Sequence, residues 1–94
     1  MTFEWDENKR RANAHKHGID FSDAATIFDG KTVVILDDRF DYGETRYIAF
    51  GLLKGTVIKV IVVAYTERGE TIRIISARKA LRDEEIFYFK QIAD

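Results

Sequence analysis

Lys16-His17-Gly18 follows Lys9 and Asn13, while a second set of cations, Arg68, Arg73 and Arg78, brackets the last apolar run before a helical C-terminal segment. An imidazole is the side chain whose ordinary pKa lies near neutrality, so His17 is the natural group to move a proton. The planar fork of an arginine suits a phosphate or a phosphorane-like transition state. Proton transfer beside stabilised negative charge is the chemistry these residue types supply together. Two separated basic clusters need one fold to join them.

Each candidate also has a plainer reading. Lys9, Asn13 and Lys16 share one helical face, since seven residues come close to two turns; that face grips phosphate or is simply solvated. His17 acts in chemistry or closes a helix whose dipole favours a cation there. Arg73 and Arg78 have opposite parity in a regular strand, so they share a face only if a bulge or the start of the last helix intervenes. Otherwise the arginines pair with Glu67, Glu70, Glu84 or Glu85 at the surface, where such pairs contribute little. His15 and His17 lie on different sides of a helix and cannot hold one metal, so no metal site and no cofactor are expected.

The elements that must position these groups are legible. Phe3 to Trp5 reads as a short strand, Asp6 as a helix N-cap, and Gly18 as a left-handed C-cap after a first helix ending near His17. That helix has almost no apolar face, only Ala12 and Ala14, so its docking falls to Trp5, Ile19 and Phe21. A second helix starts near Ser22 with a buried stripe at Phe21, Ala24, Ala25 and Phe28, and Gly30 ends it. Strands are predicted over 32–36, 45–53, 56–66 and 71–77, the last three as an antiparallel meander. A closing helix is predicted over 79–92, where Ile86, Phe87, Tyr88 and Phe89 span most of the circumference, leaving apolar surface for a partner.

The fold class is therefore α+β, in the order β-α-α-β-β-β-β-α, with a mainly antiparallel sheet packed against helices. With 94 residues the chain is expected to form a single domain over 1–94, and 46% hydrophobic content is enough to build its core. Cysteine is absent, which removes disulfides and thiolate chemistry and agrees with a reducing compartment. No apolar run follows Met1, so no secretory leader is expected, and the longest apolar run, 60–65, is too short to span a bilayer, so a cytoplasmic protein with no membrane partner is expected. The net charge of −1 argues against general, tight affinity for nucleic acid and places any phosphate contact in local clusters.

Phe3-Glu4-Trp5-Asp6, Lys9, Asn13, Lys16-His17-Gly18, Phe21, Phe28, Arg46, Gly51, Tyr65-Thr66-Glu67-Arg68 and Arg73-Ile74-Ile75-Ser76-Ala77-Arg78, with Ala80, Glu84 and Tyr88, occur in an order that resembles the BrnT family of toxins. The resemblance implies a RelE-like fold, a ribonuclease that stops translation, a cognate BrnA-like antitoxin, and operator DNA bound through the antitoxin complex. Cutting RNA without a metal needs a base near the 2′-hydroxyl, cations on the scissile phosphate and a proton for the leaving oxygen. His17, Lys16, Arg68, Arg73 and Arg78 are the catalytic candidates on that reading. Lys9, Asn13, Arg46 and Tyr88 are the RNA-contacting candidates, although Arg46 at a strand start can also snorkel from the core edge and Tyr88 can equally be core. The alternative is a non-catalytic protein- and nucleic-acid-binding module acting with a DNA-binding partner.

Overall fold

A computed structural model describes residues 1–93. In chain order the elements are β1 (Thr2–Trp5), α1 (Glu7–His17), α2 (Phe21–Ala24), β2 (Val33–Asp37), β3 (Arg46–Leu53), β4 (Lys59–Arg68), β5 (Thr71–Lys79) and α3 (Arg82–Ala93). Five strands form one sheet in the order β1-β5-β4-β3-β2. β2 to β5 pair as antiparallel neighbours, and β1 runs parallel to β5 with Thr2 opposite Thr71 and Trp5 opposite Ile74.

The caps form as their residue types dictate. Asp6 accepts from the Lys9 amide, and Gly18 takes the left-handed conformation at φ 71° while its N–H reaches the Ala14 carbonyl. The second helix is shorter than its apolar stripe predicts. α2 keeps four residues, and Ala25–Asp29 continues as a 3-10 turn. The tighter turn carries Ile27 onto β3 at Gly51, where an added Cβ would lie 2.7 Å from the Ile27 Cβ. Only glycine admits that approach. β4 begins at Lys59 rather than Thr56, leaving Val57 and Ile58 exposed in the connection, and α3 starts at Arg82 because β5 extends to Lys79.

Alternation along the strands divides the core between two faces. Ala49, Ile61, Val63, Tyr65, Ile72, Ile74 and Ala77 meet Ile19, Phe21, Ala24 and Ile27 on the face covered by α2 and the 3-10 turn. On the opposite face Phe50, Val60 and Val62 pack with Ala80 and Tyr88 beneath α3. The apolar run of α3 is shared out accordingly. Tyr88 turns inward, Phe87 packs edge-on against Phe50 with centroids 5.3 Å apart, and Ile86 and Phe89 stay about half exposed at 47% and 48%.

Candidate active site

The decisive local feature is a register shift in the β4/β5 ladder. Ala64 pairs with Ser76 but Tyr65 pairs with Ile74, so Ile75 is an extra residue. This bulge restores the parity that a regular strand would break: Arg73, Ser76 and Arg78 all project from the α3 face. Glu4, Arg73 and Thr66 lie in register across β1, β5 and β4, and Arg46 stands opposite Asp37 across β3 and β2, beside the Tyr47–Tyr65 pair. The bulge thus brings Arg73 and Arg78 of β5 onto one surface, which Arg46 of β3 shares by regular alternation. Arg68 lies on the same side of β4 by alternation, exposed at the hairpin end.

α3 covers only the other end of this face. The uncovered part is a cleft of about 350 Å³, with Ala64 and Ser76 on its floor and Arg78, Glu84, Asp37 and Arg39 among its walls. Small floor residues leave the space open. Arg78 donates to both Glu84 carboxylate oxygens, at 2.7 and 2.9 Å, and Glu84 also accepts from the Leu81 amide at 2.8 Å. The Arg78 hydrogen bonds hold Glu84 below the usual carboxylate range against the opposing effect of burial. Glu84 in turn raises the Arg78 pKa, so both stay charged. Arg73 is tied to Glu4 at 2.5 Å.

The opposite wall is built around Asp37, which is buried at 7% exposure. Its carboxylate accepts from Arg39 at 2.8 and 3.0 Å and from the Tyr42 hydroxyl at 3.2 Å. These bonds, the Arg39 pair first among them, lower its pKa from 3.8 to about 2. The Arg46 guanidinium sits 3.9 Å from the centre of the Tyr42 ring and pairs with Glu44. A group whose folded pKa is depressed contributes stability above its unfolded pKa and loses it as pH falls through the folded value. Asp37→Asn is therefore expected to melt lower than the parent at pH 7, with the gap narrowing as pH falls from about 4 towards 2. Melts by circular dichroism across that range check it, and a constant gap would mean that the charge on Asp37 does not matter.

α1 meets β5 along the edge that β1 leaves free. β1 pairing stops at Ile74, and beyond it the Asn13 amide donates to the Ala77 carbonyl at 2.8 Å while its oxygen accepts from the Ala77 N–H at 3.0 Å. A third bond runs from Asn13 to the Ile19 carbonyl at 3.0 Å. One side chain thus stands in for the next residue of β1. His17 follows four residues later on the same side of the helix, roughly 6 Å further along its axis, and is exposed. Lys9 and Lys16 are exposed on α1 as well.

Two of the RNA-contacting candidates are corrected. Asn13 is 7% exposed, and its amide is fully occupied by backbone partners. Tyr88 is 1% exposed, its hydroxyl donates to the Lys31 carbonyl at 2.8 Å, and burial raises its pKa. Neither side chain is available to a substrate. Ser76, Arg39, Tyr42 and Asp37 were missed by sequence reasoning because only strand register places the 37–44 loop beside β5. Among the described residues, no group of three His, Cys, Asp or Glu side chains is placed to hold a metal ion. No helix of the described residues is long and apolar enough to cross a membrane.

This arrangement has known counterparts. Residues 5–84 match the family described as the ribonuclease toxin, BrnT, of type II toxin–antitoxin systems. The crystal structure of the Brucella abortus ribonuclease toxin BrnT superposes with a TM-score of 0.64 at 31% sequence identity, covering 87% of this chain and 99% of that one. No curated protein matches. The fold and the match define a ribonuclease toxin of a type II toxin–antitoxin system, a class that works with an antitoxin partner. Within that class, the chain belongs to the BrnT family. The α+β class and element order stand, and RelE-like is a loose description beside the BrnT match.

Proposed function

We propose that this toxin cleaves RNA without a metal, and that the arginine face assembled by the Ile75 bulge holds the scissile phosphate. The observation that carries the reading is the open cleft in which Arg78 stands at the end of a face shared with Arg73 and Arg46. Arg78 and Arg73 stabilise the charge that builds on the phosphorus oxygens, and Arg46 and Arg68 hold flanking phosphates. Lys9 and Lys16 extend the cationic surface along α1. His17, one turn beyond the Asn13 anchor, moves the proton: the 2′-oxygen attacks phosphorus as its proton leaves, and the bond to the 5′-oxygen breaks as that oxygen is protonated.

Cleavage of cellular RNA in the cytoplasm halts translation. A BrnA-like antitoxin masks the toxin and brings the pair to operator DNA. Ile86 and Phe89, outward on α3, belong to the surface that meets it. The test is incubation of purified toxin with RNA in excess EDTA. Cleavage with 2′,3′-cyclic phosphate and 5′-hydroxyl ends is expected, and cleavage that needs added Mg²⁺ would overturn the metal-free mechanism.

A further inference from the structure

Phe40 is 67% exposed, a large aromatic held in water on the loop that walls the cleft. Its surroundings are ordered from below. Asp37 fixes Arg39 and Tyr42 through one buried carboxylate, Phe40 packs edge-on against Tyr42 with centroids 5.7 Å apart, and the Arg39 guanidinium lies 5.9 Å from the Phe40 ring. Arg46 covers the Tyr42 ring. The loop also carries acidic residues: Asp37 and Glu44 are paired with arginines, Asp41 accepts from the Gly43 amide, and Asp38 lines the cleft as an exposed carboxylate. What the loop offers a ligand is an aromatic surface interleaved with guanidinium planes.

We infer that Phe40 is a stacking platform for an unpaired RNA base next to the phosphate bound by the arginine face. The inference rests on the ribonuclease reading above and adds a base-binding subsite to it. A nucleobase fits better than a peptide side chain because the platform adjoins a cleft carrying Arg39 and Arg78, whose guanidinium forks suit a linked phosphate once they turn from Asp37 and Glu84, so one nucleotide meets both surfaces. Every base has a π-face, so such a platform favours single strands with little sequence preference. Asp37 is its positioning residue, since it sets Arg39 and Tyr42 without reaching the base.

The experiment uses the full chain and two readouts. With a short single-stranded RNA, Phe40→Ala is expected to raise KM roughly 5- to 100-fold, the loss typical of one stacked base, with a smaller fall in kcat. Phe40→Trp should restore it. With a non-cleavable 2′-O-methyl oligonucleotide carrying 2-aminopurine, parent protein should quench the fluorophore and Phe40→Ala should not. That second readout separates the subsite from the ribonuclease reading: quenching that depends on Phe40 supports the platform even if no RNA is cut. Unchanged KM and quenching in Phe40→Ala would overturn it, as would absence of both cleavage and quenching in the parent. Weakened antitoxin binding with RNA binding intact would also overturn it, by making the loop a protein-docking surface.

Discussion

Replacing Arg78 by alanine is expected to lower kcat/KM for RNA cleavage roughly 10²–10³-fold, the loss seen when one preorganised donor to a developing oxyanion is removed. Arg78 also ties β5 to the start of α3 through Glu84, so a structural account of the same loss is available. Two controls separate them. The Arg78 side chain is 39% exposed and that of Glu84 21%, so losing this partly exposed pair should lower the urea midpoint only modestly, by roughly 1 kcal/mol of stability. Arg78→Lys keeps the charge but not the fork, and should recover only part of the rate. Parental activity in Arg78→Ala would place the phosphate elsewhere on the molecule.

The second large effect concerns His17, for which the sequence leaves helix capping and catalysis side by side. His17→Ala is expected to reduce kcat roughly 10²-fold or more, as loss of a general acid or base does. A residue that only complements the helix dipole would change stability by about 0.3–1 kcal/mol and leave cutting untouched. Single-turnover cleavage measured beside urea unfolding decides between them, because an exposed side chain at the end of α1 has no packing to lose. Unchanged cutting would remove His17 from the mechanism and leave the arginine face intact as a binding surface.

What the sequence makes readable is whatever acts over short range. Asp6, Gly18 and the meander of β3 to β5 follow from neighbours a few residues apart, and all of them form, whereas the stripe of α2 holds only for Phe21 and Ala24 before the 3-10 turn buries Ile27 instead. What it hides depends on distant partners. The parallel pairing of β1 with β5 joins residues 69 apart, as in the Thr2–Thr71 bond, and no local pattern announces it. Asn13 sits between lysines on a helix without an apolar stripe and reads as surface. It is buried because β1 ends early and the free edge of β5 needs a partner. Tyr88 lies in a run of four apolar residues, and only the placement of α3 decides which of them turns inward. The Arg73 and Arg78 question was posed by parity and answered by a single extra residue that the sequence does not mark.

The pairing of β1 with β5 also governs when a newly made chain can close its fold. On the ribosome, the opening strand has no edge to join until residue 74 has been synthesised, and Asn13 finds its seat on Ala77 later still. Closing so long a span is the late step expected of a non-local contact. The arginine-bearing strand is therefore anchored only once residues 2 to 77 are all available, so a polypeptide cut short before Ala77 is expected to lack that anchor.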